Sequence, residues 1–285
     1  MSQPPILFVG VGRIGLPIVR RMIASGLDIH VYDSNVGAVA DVQRHGGMGL
    51  TRDAISKLTY SRVVLCLPDP NAATTLIGSW TKDDLPEDAI IADLTTMPPS
   101  TAKRHAAILA ESGGTYLDTP VSGGQRGAES GEMIVIAGGP RRAFEAMLPI
   151  LRVIGATVHH AGEVGSASLV KAVNQFVYLS YNFAFAKGLQ LARELELPDA
   201  VVVDALTKGA AGHPLINDRL PSTLSSNFAE GFLLKRCLKD LDCLELTAEH
   251  AGPAIETFER LRNDIRKAVE DGLGDRDILI LSREL

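Results

Sequence analysis

Short apolar runs without alternation recur through the first half of the chain, each followed by a stretch of helical periodicity. Ile6–Val9, Ile29–Tyr32, Val63–Leu67, Ala89–Asp93, Thr115–Asp118, Met133–Ala137 and Thr157–His160 read as strands. Leu16–Ser25, Val36–Arg44, Ala72–Ser79, Ser100–Glu111 and Pro140–Ile150 read as the helices between them. Strands apolar at successive positions are buried on both faces, and intervening helices supply parallel crossovers, so the pattern predicts a mostly parallel sheet covered on both sides. Within Thr115–Ala137 two strands are joined by a Gly-rich loop, which leaves room for extra strands there.

The pattern changes after Gly162-Glu163-Val164-Gly165. From Ser166 to about Leu197 there is no Pro and one interior Gly, Gly188, in nearly continuous helix formers. This predicts one helix of about 30 residues, about 45 Å long at 1.5 Å per residue. Val170, Val173, Phe176, Val177, Leu179, Phe183, Phe185, Leu189 and Leu191 make it apolar almost all round. Such a helix is expected to be buried, under a second helical domain or another subunit. Pro198-Asp199 opens a further helix, and the chain reads helical to Leu285. The expectation is an α/β domain over 1–162 and an all-α domain over 163–285, the latter built on a long interdomain helix.

The first strand runs straight into Gly10-Val11-Gly12-Arg13-Ile14-Gly15 and a helix. In a dinucleotide site Gly10 allows the tight turn, Gly12 lets backbone approach the pyrophosphate, and Gly15 lets helix pack on strand. Backbone N–H groups at the helix start attract the phosphates. Asp33, roughly 20 residues on at the end of the second strand, is placed to accept from ribose hydroxyls. These features together predict a Rossmann-type domain. Asp33 would repel a 2′-phosphate, and Ser34 and Asn35 carry no compensating charge, so NAD is preferred to NADP.

In an open parallel sheet the ligand crevice lies beyond the C-terminal strand ends. That points to the loops Leu67-Pro68-Asp69-Pro70-Asn71, Asp93-Leu94-Thr95-Thr96-Met97-Pro98 and Asp118-Thr119-Pro120-Val121-Ser122-Gly123-Gly124. Taken singly, each is also ordinary turn chemistry. Together they collect the Thr95, Thr96 and Ser122 hydroxyls and the unhindered N–H groups of Gly123 and Gly124, a cradle suited to a carboxylate. On the long helix Lys171, Asn174 and Gln175 fall at i, i+3 and i+4, on one face. A partly desolvated Lys has a lowered pKa suited to acid/base work. The competing reading is a Lys that snorkels to solvent beside two amides with no special task.

Composition narrows the partners. Apolar residues are 46% and charged residues 22%, as in an ordinary soluble protein. The net charge of −6, with no Lys/Arg stripe, argues against nucleic acid. No apolar run reaches the ~20 residues of a membrane helix. Met1-Ser2-Gln3-Pro4-Pro5 lacks the charged region of a leader, which makes the cytoplasm the expected location. Cys66, Cys237 and Cys243 are too scattered for a disulfide framework or zinc site, and the His spacing suggests no metal.

These motifs resemble, essentially end to end, the β-hydroxyacid dehydrogenase family of 3-hydroxyisobutyrate dehydrogenase and tartronate semialdehyde reductase. Gly10–Gly15 is similar to its cofactor signature. Asp118–Gly124 is similar to its D-A-P-V-S-G-G substrate motif, Lys171–Gln175 to its K-x-x-N-[NQ] segment, and Lys239-Asp240-Leu241 to its K-D-L run. The resemblance implies interconversion of short 3-hydroxy acids and semialdehydes with NAD or NADP. It implies Lys171 as acid/base, Asn174 and Gln175 on the substrate, and Ser122, Gly123 and Gly124 on its carboxylate. Leu67, Pro68, Asn71, Thr96 and Lys239 would contact the cofactor. It also implies a homodimer or homotetramer that buries the long helix.

Several residues depart from the family pattern. Ala167 stands for a common Gly, Thr95 for Ser, Lys187 for Glu, and His213, after Gly209-Ala210-Ala211-Gly212, for a small hydroxyl residue. Arg126 is either a partner for a distal anion or a solvated loop residue. The alternatives are an imine reductase, whose relatives lack the Lys, and a non-catalytic cofactor-binding protein. Sugar-acid decarboxylation is disfavoured because those relatives carry His where this chain has Asn174.

Overall fold

Strand β1 (Ile6–Val9) explains the architecture, because its side chains feed two cores at once. In this computed structural model, which describes residues 4–56, 59–80, 84–213, 217, 219–229, 231–244 and 252–283, Ile6 and Phe8 pack into one apolar cluster and Leu7 and Val9 into another. Alternate residues of Val63–Leu65 divide the same way. A strand buried on both faces has no polar side to show, which is why these runs lack alternation.

The other strands are β2 (Ile29–Tyr32), β3 (Met48–Gly49), β4 (Arg62–Leu65), β5 (Ile90–Asp93), β6 (Thr115–Asp118), β7 (Val121–Ser122), β8 (Ile134–Gly138) and β9 (Thr157–Gly162). Among the described residues they form a nine-stranded sheet in the order β3-β2-β1-β4-β5-β6-β8-β7, with β9 also on β8. Pairing is parallel from β3 to β6. β8 runs antiparallel to β6 and β7 and parallel to β9. This is the expected Rossmann-type, mostly parallel sheet.

The helices of this part are α1 (Gly15–Ala24), α2 (Val36–Arg44), α3 (Pro70–Ile77), α4 (Pro99–Glu111), α5 (Gly124–Ser130) and α6 (Arg141–Ile154). Several bounds differ from the sequence reading for local reasons. β4 stops at Leu65 rather than Leu67, because the Leu67 N–H turns to the Thr95 hydroxyl (3.1 Å). α3 begins at Pro70 rather than Ala72: Asp69 caps it through the Ala72 N–H (2.9 Å), and Pro occupies the first turn, where its missing N–H costs nothing. The Gly-rich loop in Thr115–Ala137 is a short strand followed by a short helix.

The chain has two compact units, 1–171 and 172–285, and the boundary falls within α7 (Ser166–Glu194). The second unit contains α8 (Asp199–Lys208), α9 (Leu220–Leu224), α10 (Leu234–Asp242) and α11 (Pro253–Ala268). Leu179, Phe185 and Leu189 of α7 pack there with Leu234, Leu241, Phe258 and Ile265. Half-buried Arg219 and buried Asp277 form an ion pair at 2.7 Å, and Asp277 also accepts from Phe232 N–H and Leu279 N–H. The expectation that α7 is buried all round is not met within one chain. Val170, Val173, Val177 and Leu191 are 46, 58, 62 and 55% exposed. The helical reading at 214–216, 218, 230, 245–251 and 284–285, and the leader reading at 1–3, lie outside the described residues. Among the described residues no helix is long and apolar enough to cross a membrane.

Candidate functional site

The Gly-rich turn is shaped by three glycines with different constraints. Gly10 has φ +98°, and a Cβ there would lie 2.3 Å from the Cys66 carbonyl oxygen. A Cβ on Gly15 would lie 2.0 Å from the Gly10 carbonyl oxygen, so α1 packs directly on the turn. A Cβ on Gly12 would meet nothing within 4 Å. The chain's own packing therefore does not require glycine at 12, and the open space fits a ligand that approaches the backbone. α1 begins at the same place with no side-chain cap and no acid in its first turn. Its leading N–H groups suit a phosphate. Val11 is buried, Arg13 exposed and Ile14 half-buried.

Asp33 lies beside this turn. Its Oδ2 accepts from Val11 N–H and its Oδ1 from Asn35 N–H, both at 2.7 Å. Two backbone donors thus fix the carboxylate next to the glycine turn, where the ribose of a bound dinucleotide would fit.

The next loops are joined beneath their surface. Pro68 and Asn71 are exposed, and Leu67 and Thr96 half-buried. Thr95 is buried and its hydroxyl accepts from Leu67 N–H, so it braces the adjoining loop. Asp93 accepts from Thr95 N–H (2.9 Å) and from the Tyr116 hydroxyl (3.0 Å). Tyr116 lies 3.4 Å from His105 Nδ1, and His105 Nε2 lies 2.8 Å from the Thr74 hydroxyl. Burial pushes the Asp93 carboxyl up to about 6 and the His105 imidazole down to about 4. Burial also raises the Tyr116 phenol, which stays a neutral donor.

Asp118 is the register partner of Asp93 on the neighbouring strand. Its Oδ1 accepts from Gly165 N–H (2.9 Å), and its Oδ2 accepts from Ser168 N–H (2.8 Å) and the Ser168 hydroxyl (3.0 Å). Burial raises its pKa while these donors oppose the rise. Beyond it, Ser122 ends β7, and Gly123 (φ +132°) and Gly124 (φ +62°) turn the chain into α5. Arg13 Nε donates to Gln125 Oε1 (3.3 Å), and Arg21 donates to the Ser130 carbonyl (3.2 Å). The glycine turn and the Ser122–Gly124 turn are thereby held side by side. Lys171, only 6% exposed, follows Ser168 by one helical turn. Arg126 is exposed.

The remaining expected residues lie in the second unit. Asn174 donates to Gln175 Oε1 (3.1 Å), and Gln175 donates to Asp240 Oδ2 (2.6 Å). Lys239 is 3.1 Å from the other Asp240 oxygen. Asp240 therefore ties α7 to α10, and the buried Gln175 amide is engaged with it. Lys187 is exposed, donating to Gln190 (2.8 Å), and His213 lies against the Tyr181 ring (5.3 Å). Tyr116 and His105 were not singled out in the sequence, and Asp93 and Asp240 were named there only as members of a loop and of the K-D-L run, without a role of their own. The signal for Asp93 was an acid ending an otherwise apolar strand.

Residues 5–162 match the family model of the NAD binding domain of 6-phosphogluconate dehydrogenase. Residues 165–285 match the model described as NAD-binding of NADP-dependent 3-hydroxyisobutyrate dehydrogenase. The chain is 28% identical to an uncharacterized oxidoreductase of Synechocystis sp., with 100% of each covered. It is 26% identical to glyoxylate/succinic semialdehyde reductase 1 of Arabidopsis thaliana, over 95% of this chain and 94% of that protein. Among solved structures, 3-hydroxyisobutyrate dehydrogenase from Salmonella typhimurium aligns with TM-score 0.87 at 23% identity, covering 98% of this chain and 99% of that one.

Proposed function

Because the chain belongs to the β-hydroxyacid dehydrogenase family of NAD(P)-dependent oxidoreductases, we propose that it interconverts a short 3-hydroxy acid and its semialdehyde, with NAD as cofactor. The observation that carries this reading is Lys171, a lysine 6% exposed at the head of α7. A lysine held away from bulk water at the head of this helix suits an acid/base at the substrate's hydroxyl.

Bound NAD would supply the hydride acceptor. The space over Gly12 and the start of α1 receive its pyrophosphate, with Val11, Arg13 and Ile14 framing the turn. Asp33 accepts from the ribose hydroxyls and disfavours a 2′-phosphate. Leu67, Pro68, Asn71 and Thr96 would contact the rest of the cofactor, and Lys239 is the second unit's proposed cofactor residue. In the first unit Ser122, Gly123 and Gly124 would hold the substrate carboxylate; in the second, Asn174 and Gln175, themselves joined at 3.1 Å, are the proposed substrate contacts. Lys171 takes the hydroxyl proton as the carbonyl forms and returns it in the reverse direction. We further propose that copies of the chain pair through the exposed apolar side of α7.

The test is absorbance at the NADH band with NAD and NADP in parallel, against a panel of short and aryl 3-hydroxy acids. Lys171→Ala is expected to lower kcat by about 10³-fold with unchanged NAD affinity; near-normal turnover removes Lys171 from the mechanism. Asp33→Ala is expected to weaken NAD and narrow its advantage over NADP. An unchanged ratio would dismiss the ribose role.

A further inference from the structure

We propose that Asp118 is a positioning residue that sets Lys171 against the Ser122–Gly124 turn, and so fixes which hydroxyl position the enzyme oxidises. The inference rests on the dehydrogenase reading given above.

The backbone around Asp118 is pinned on both sides. Thr119 N–H donates to the Asp93 carbonyl (2.8 Å), and Ile136 N–H donates to the Pro120 carbonyl (3.1 Å). Only Thr119 and Pro120 separate β6 from β7, so the Ser122 end inherits this rigidity. The Asp118 carboxylate, 1% exposed, meets the start of α7 through three donors: Gly165 N–H, Ser168 N–H and the Ser168 hydroxyl. The N–H groups at a helix start lack intrahelical partners, and a carboxylate there satisfies them and suits the helix dipole. Ser168 and Lys171 are i and i+3, on the same face of α7.

The clamp leaves no room to slide. A Cβ on Gly138 would come within 2.4 Å of Asp118 Oδ1, 2.8 Å of the Glu163 carbonyl oxygen and 3.1 Å of Ala167 N. β8 therefore presses on the carboxylate and the α7 start together. One residue thus carries both halves of a ruler. Its backbone continues to the carboxylate cradle, and its side chain holds the turn that precedes the acid/base. A separation of cradle and Lys171 fixed in this way would favour one hydroxyl position along the acid over its neighbours.

Asp118→Asn, Ser168→Ala and Ser168→Thr are compared with Lys171→Ala in the intact chain. The substrates are 3-hydroxy and 4-hydroxy acids of matched size. Asp118→Asn and Ser168→Ala are expected to lower kcat on the order of 10²-fold while NADH affinity by fluorescence stays within about twofold. Both are expected to narrow the preference for 3-hydroxy over 4-hydroxy acids, and Ser168→Thr, which keeps the hydroxyl, to retain kcat. Wild-type kcat and preference would overturn the inference. So would a kcat loss matched by loss of NADH affinity and melting temperature, which marks a merely structural role. If Asp118→Asn fails to fold, Ser168→Ala decides alone. Normal turnover by Lys171→Ala removes Lys171 from the mechanism and fells this inference with it, whereas a wild type silent on every acid of the panel fells the dehydrogenase reading itself. An inactive Lys171→Ala beside a normal Ser168→Ala fells only the inference.

Discussion

At the level of single residues, Asp93 shows what the loop geometry costs. Its carboxyl is fully buried and titrates at about 6 against an ordinary 3.8. The folded chain binds that proton more tightly than the unfolded one. The stability gained from protonation is full below the unfolded value and disappears as pH rises through about 6. Above that, the ionised form costs on the order of 3 kcal/mol. Asp93→Asn is therefore expected to raise the urea midpoint at pH 8 and to leave it nearly unchanged at pH 4. Equal destabilisation at both pH values would contradict this. The same variant weakens the bond to Thr95 N–H, and Thr95 in turn holds Leu67, so added stability should come with a looser cofactor loop.

At the level of elements, the glycine turn gives the sharpest contrast. Gly15→Ala forces a methyl onto the Gly10 carbonyl, whereas Gly12→Ala enters open space. Gly15→Ala is expected to lose roughly 1–3 kcal/mol by overpacking. Gly12→Ala should keep the wild-type melting temperature and lose NADH binding. A Gly12→Ala variant that binds NADH normally would empty the proposed pyrophosphate site. This turn was legible in the sequence because all its constraints lie within a few residues of one strand and one helix. The doubly buried strands were legible for a similar reason: each run shows its own lack of polarity. The two-residue strands β3 and β7 are too short for any period to show. The carboxylate network was hidden because it depends on strand register. Asp93 meets Asp118 across β5 and β6, and Tyr116 reaches His105 on α4. Gln175 and Asp240 are 65 positions apart, and nothing in either local segment announces the other.

At the level of the molecule, α7 leaves a large apolar side uncovered by its own chain. Leu169, Val170, Val173 and Val177 are 47, 46, 58 and 62% exposed and recur at helical spacing. The sequence pattern reported an apolar circumference but not which arc this chain covers and which is left for a copy. Val173→Glu with Val177→Glu is expected to give a monomer by light scattering, with the far-ultraviolet spectrum unchanged. A parent protein that is already monomeric would refute the pairing. The sheet order has a further consequence, for a chain emerging from the ribosome. β1 lies between β2 and β4, and the Gly10 turn leans on the carbonyl of Cys66. The nucleotide motif is synthesised before the wall that shapes it, which arrives more than fifty residues later. A nascent chain that stops short of Cys66 carries the complete motif without a fixed turn. The capacity to hold a dinucleotide is thus acquired during translation only when the fourth strand docks.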